Sequence, residues 1–226
     1  MPKVPFIPEI SGNLRKHMLY VPESIYEIAG LTILGKRIKS LVFSTDVAII
    51  KNCNAHAVIA VYPFTPQPSI THAIIAAADV PVLCGVGGGT TTGKRVVNLA
   101  QDAEFQGALG VVVNAPTSNN TLLEMRKRID IPIVVTVVSE KTDIHARLES
   151  GATILNVSCS SQTPQVVAAI RAEHPEVPII ATGGPNDESI HRTIDAGANA
   201  ITWTPPSSGE IFKYMMNKYR QSEDLV

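Results

Sequence analysis

An internal repeat constrains this chain more than any single motif, because self-similarity at a fixed period identifies stacked supersecondary units. Two phrases alternate. One is an acidic residue, a β-branched residue, a proline and an apolar run: Asp79-Val80-Pro81-Val82-Leu83, Asp130-Ile131-Pro132-Ile133-Val134 and Glu176-Val177-Pro178-Ile179-Ile180. The other sets glycine or asparagine and alanine before an apolar run: Asn54-Ala55-His56-Ala57-Val58, Gly107-Ala108-Leu109-Gly110-Val111, Gly151-Ala152-Thr153-Ile154-Leu155 and Gly197-Ala198-Asn199-Ala200-Ile201. Glycine or asparagine just past a helix can take the left-handed conformation that ends it, and proline at a strand's first residue sacrifices no ladder hydrogen bond. Both phrases therefore mark helix-to-strand junctions.

With the run Ile38 to Ser44, the repeat predicts eight strands, near residues 38–44, 56–62, 81–86, 108–114, 131–138, 152–158, 178–182 and 200–204. Start signals for the intervening helices stand at Thr45-Asp46, at Thr163-Pro164 and at Asn186-Asp187-Glu188. Near-continuous apolar strands alternating with amphipathic helices imply a parallel sheet covered on its outer face. Eight such units close as an α/β (β/α)8 TIM barrel, with an open doubly wound sheet as the alternative. A further helix is expected over Pro22 to Leu34, inside an extension over residues 1–36 ahead of a barrel over 37–220. It would close the barrel's bottom or pack on a second copy in a homodimer. Residues 221–226 are expected to fray.

A chain of 226 residues, 45% hydrophobic and 17% charged, suits one domain with a large core. Its 19 basic and 20 acidic residues are interleaved and leave a net charge of −1, which offers no footprint for nucleic acid or an anionic membrane. The longest apolar runs, such as Ile131 to Val138, fall under half the roughly 20 residues that span a bilayer. Three cysteines form no CxxC pair and no charged-then-apolar leader is seen, so a reducing cytoplasm is expected.

In such a barrel the site is built from the loops that follow the strands. Read at those places, the chain offers Asp46 and Glu140 as the carboxylates for proton transfer, although Asp46 also suits a helix cap and Glu140 a solvated surface. Asn114 and Asn156 end strands and are costly to bury without partners, which suits either orienting a substrate or a network across the barrel. Thr136, Thr182 and Thr204 stand at further strand ends. Gly88, Gly89 and Thr90 belong to a stretch that matches G-x-x-x-x-G-K from Gly88 to Lys94. Arg95 stands where a nucleotide-binding loop needs serine or threonine, so the expected role is a cover over the site. A Schiff-base aldolase is disfavoured, and no metal cluster is visible in the sequence. Cys84 and Cys159 read as core residues sooner than as catalytic thiols.

The run Ile180-Ala181-Thr182-Gly183-Gly184, followed by Gly197-Ala198-Asn199-Ala200-Ile201, resembles the phosphate-binding half of the ribulose-phosphate-binding TIM-barrel superfamily. The resemblance implies a phosphate held by the glycines after strand seven and by amides at a helix start after strand eight. Glycine allows close backbone approach, and free amides at a helix start attract an anion. The chain departs from the pattern at Thr204-Pro205-Pro206-Ser207-Ser208-Gly209, where two prolines remove two donors and move the expected contact to Ser207 and Ser208. The expected activity is an isomerase, epimerase or lyase acting on a small phosphorylated molecule without a cofactor. Two alternatives are an FMN-dependent oxidoreductase, since flavin barrels use a similar Thr-Gly-Gly turn, and a non-catalytic barrel that senses a metabolite.

Overall fold

The computed structural model describes residues 8–10, 12–13 and 17–221. Of the tail expected to fray over 221–226, Gln221 ends the last helix and residues 222–226 lie outside the described ones. A hairpin of β1 (Leu31–Ile33) and β2 (Lys36–Ile38) precedes eight alternating units. These are β3 (Ser40–Phe43), α1 (Val47–Lys51), β4 (Ala57–Ala60), α2 (Pro68–Ala77), β5 (Val82–Gly87), α3 (Lys94–Phe105), β6 (Gly110–Val113) and α4 (Asn119–Arg126). They continue through β7 (Ile133–Val137), α5 (Ile144–Glu149), β8 (Ile154–Val157), α6 (Thr163–Glu173), β9 (Ile179–Thr182), α7 (Asp187–Asp195), β10 (Ala200–Trp203) and α8 (Ser208–Gln221). Strands β3 to β10 are parallel and form a closed barrel, completed where Thr202 sits between Thr182 on β9 and Leu41 on β3. The fold is the (β/α)8 barrel that the repeat predicts.

The junction phrases behave as their chemistry requires. Gly107, Gly151 and Gly197 all have φ near +90 to +120°, at 88°, 116° and 102°. Asp46 caps α1 through Ala48 and Ile49, and Asn186 with Ser189 forms a capping box on α7.

Side chains alternate across each strand and so divide into two cores. Val42, Val58, Val111, Val135, Leu155 and Ile201 face the helices. Leu41, Ile59, Leu83, Val112, Val134 and Ile180 fill the lumen, and Leu31, Ile33 and Ile38 of the hairpin join them there. The helix expected over Pro22 to Leu34 is replaced by one short 3-10 segment, Glu23–Glu27, and then the hairpin. Leu34-Gly35 supplies the reason, because both residues take positive φ (46° and 79°) and make a two-residue hairpin turn. The hairpin's apolar face then joins the lumen core, while Val21, Ile25 and Ile28 join the outer one.

Helix α8 stands apart from the other barrel helices of similar length: none of its residues is buried. Leu83 and Ile38, each 1% exposed or less, anchor the lumen. Leu83→Ala and Ile38→Ala are each expected to cost about 2–5 kcal/mol in a urea denaturation experiment, as large-to-small changes in a closed core do.

Candidate functional site

Above the apolar lumen the strands change character. Asn156 lies in register with Ile180 and Thr136, and Thr202 with Leu41 and Thr182, so these polar side chains share the lumen-facing side of the sheet. They are buried: Asn156 is 8% exposed, Thr202 6% and Thr136 9%. Asn156 Nδ2 donates to Thr136 Oγ1 at 3.4 Å, and Thr182 Oγ1 donates to Ser158 Oγ at 3.2 Å. Asn156 Oδ1 and Thr202 Oγ1 have no partner among the described residues. Such an atom costs about 1–3 kcal/mol unless something else bonds it.

Two adjoining cavities open at the same end of the barrel. The larger, about 700 Å3, is walled by Phe43, Asp46, Tyr62, Asn114, Thr204 and the start of α8. The smaller, about 250 Å3, shares Tyr62 and Asn114 and runs under Gly88, Gly89 and Thr90. The loop there is a tight turn in which the Gly88 amide donates to the Thr91 carbonyl. A Cβ at Gly88 would lie 2.4 Å from the Asn114 Cβ, at a φ of 114°, so only glycine lets this loop lie on Asn114. Lys94 and Arg95, by contrast, are exposed at the start of α3, and Lys94 faces a groove toward α4.

Asp46 is the carboxylate that the fold brings to the mouth. Besides capping α1, it accepts a hydrogen bond from Ser208 Oγ at the first turn of α8. That bond and those from Ala48 and Ile49 outweigh its partial desolvation and hold it below the usual carboxylate range. Glu210 accepts from both Ser207 N (2.8 Å) and Ser207 Oγ (2.7 Å), and these bonds likewise lower its pKa. The sequence reading missed this carboxylate, although Ser207-x-x-Glu210 is a capping-box spacing. Among the described residues, no lysine, arginine or histidine lines either cavity.

Other expected residues lie elsewhere or serve packing. Glu140 lines a separate cavity of about 210 Å3 between α5 and α6, away from the residues around Asp46. Gly183 donates its amide to the Thr202 carbonyl, and a Cβ on it would meet Ile201 at 2.7 Å. Gly184, at φ 82°, lies against Ser189, which would be 2.5 Å from a Cβ. Cys84 faces the outer core, where burial pushes its thiol up to about 12, and burial followed by the charge of Glu140 raises Cys159. Neither is poised as a thiolate. The eight barrel strands contain no lysine; Lys39, just before β3, gives its ammonium to the Tyr26 carbonyl. Among the described residues no group of three or more His, Cys, Asp and Glu side chains is gathered for a metal ion.

No family model and no curated protein matches the sequence. Solved structures do share its fold. A candidate phosphonomutase from Burkholderia cenocepacia J2315 matches with a TM-score of 0.63 at 16% identity, over 88% of this chain and 98% of its own. The citrate synthase SbnG matches at 0.61 and 13% identity, over 81% of this chain and 92% of its own. Phosphonopyruvate hydrolase, solved with oxalate and Mg++, matches at 0.59 and 11%, over 84% and 82%. All support the TIM-barrel architecture.

The double role of Asp46 can be separated by substitution. Asp46→Ala is expected to lower stability by about 1 kcal/mol in chemical denaturation, and Asp46→Asn by less, because asparagine also caps helices well. The charge-dependent part of this stabilisation belongs to a carboxylate whose folded pKa is lowered. It is present above the ordinary value of about 3.9 and is lost as pH falls through the folded value. The wild-type advantage over Asp46→Asn should therefore vanish in melts at strongly acidic pH.

Proposed function

We propose that the protein is an enzyme of the lyase, isomerase or epimerase kind, acting on a small phosphorylated metabolite at the carboxyl-terminal mouth of its barrel. The observation that carries this reading is the pair of buried, unpartnered oxygens, Asn156 Oδ1 and Thr202 Oγ1, on the lumen-facing side of the strands that open at the mouth. A substrate hydroxyl or amine seated there would satisfy them. Asp46, ionised at neutral pH and on the rim of the larger cavity, is the proton acceptor. Asn114, at the junction of both cavities, orients the substrate, and the Gly88 to Thr90 turn covers it. The printed descriptions of the structural neighbours, a candidate phosphonomutase, a phosphonopyruvate hydrolase, an aldolase and a citrate synthase, support a lyase-type reaction.

The phosphate belongs at the start of α8, at Ser207 and Ser208. The helix start attracts anions, but Glu210 now occupies the Ser207 amide and hydroxyl. A phosphate would displace that carboxylate, so Glu210→Gln should bind inorganic phosphate about tenfold more tightly than wild type in a calorimetric titration, a gain of about 1.4 kcal/mol. Absence of phosphate binding in both proteins would remove the phosphorylated part of the reading. The enzymatic part is tested by NMR-monitored turnover of a panel of small phosphorylated and phosphono acids. Asp46→Asn should retain the fold and lose about 10²–10⁴ of any rate. A rate unchanged in Asp46→Asn would remove Asp46 from the reaction.

A further inference from the structure

Helix α8 carries an apolar face that the described residues cover only in part, with Ile211, Met215 and Met216 half-buried and Phe212 and Tyr219 exposed. Ile211, Phe212, Met215, Met216 and Tyr219 recur at positions i, i+1, i+4, i+5 and i+8, which places them along one stripe of a helix. A stripe of this width ordinarily packs on a core, yet α8 has no buried residue, and Phe212 and Tyr219 are 68% and 49% exposed. Lys213 and Arg220 lie together on one flank of it. The bond from Ser208 to Asp46 ties the helix start to the mouth, and its 14 residues extend about 21 Å from there.

The same rim carries two further exposed apolar side chains. Val47 is 45% exposed and Phe64 74%, and they stand next to the two residues Asp46 and Pro63 that help wall the larger cavity. Beside them lie the carboxylates of Asp46 and Glu210, with no cation among the described residues lining either cavity. One chain therefore carries both an apolar helix flanked by cations and an apolar rim flanked by carboxylates. A two-fold axis satisfies both patches twice over, since whatever one copy offers the other receives.

We infer that α8 docks on the mouth rim of a second copy of this chain, its apolar stripe covering Val47 and Phe64 and its Lys213 and Arg220 facing the carboxylates there. The cavity gains two cations from the other copy. The contact stands on the surface of the fold and does not depend on the enzymatic reading.

Light scattering on the eluting full chain tests it. Wild type should run at twice the 24.2 kDa chain mass. The double substitution Phe212→Glu and Tyr219→Glu on the helix should halve that mass, and Phe64→Glu on the rim should do so independently, with far-UV circular dichroism unchanged because the side chains are exposed. Lys213→Glu with Arg220→Glu should weaken association, and added salt should weaken it in wild type. A wild-type mass of one chain at every concentration would overturn the proposal. So would an oligomer that both glutamate variants leave intact, or a monomer that sediments with phosphatidylserine vesicles through α8.

Discussion

The division of the barrel lumen into an apolar lower part and a polar upper layer is the constraint on which the site depends. Leu41, Ile59, Leu83, Val112, Val134 and Ile180 pack together with the hairpin residues Leu31, Ile33 and Ile38. Water has no place among them. Asn156 and Thr202, next along the strands, are buried on the lumen-facing side with Oδ1 and Oγ1 unpaired among the described residues. Closure matters here because Asn156 and Thr202 belong to strands 46 residues apart in sequence (202 minus 156), and the ring brings them into one layer.

Above that layer, electrostatics centres on the first turn of α8. A helix start carries partial positive charge and free amides, and this one draws in two carboxylates, Asp46 from α1's cap and Glu210 from its own third position. Asp46 thereby joins the first and last helical units of the barrel, 162 residues apart. Its ionisation, its capping of α1 and its place on the cavity wall are one arrangement. Glu210 bonds the Ser207 amide and hydroxyl, so the protein's own side chain occupies those donors at the helix start.

Much of the architecture was legible because it repeats. The proline and glycine phrases mark each strand's entry, and seven of the eight strands fall inside their expected limits, with β5 running one residue further, to Gly87. The amino-terminal hairpin was not legible as such, since Leu31-Thr32-Ile33 is too short for a periodic signal and Leu34 is an unusual left-handed residue. Of the residues read from the strand ends, Asp46, Asn114 and the glycine turn line the two adjoining cavities, and Asn156 is buried on the lumen-facing side. Glu140 misled because a residue past a strand end can turn outward between two helices, as it does beside α5 and α6. The unpacked state of α8 was equally hidden: its amphipathic pattern reads like that of any barrel helix, and a pattern does not say which surface answers it.

A high-resolution crystal structure of the protein grown in phosphate would test the central claim most directly. The account predicts an ordered molecule bonded to Asn156 Oδ1 and Thr202 Oγ1 within the mouth, and a phosphate at the first turn of α8 with Glu210 swung aside. Asn156 and Thr202 found paired with each other or with backbone, in a mouth closed by apolar side chains, would contradict it.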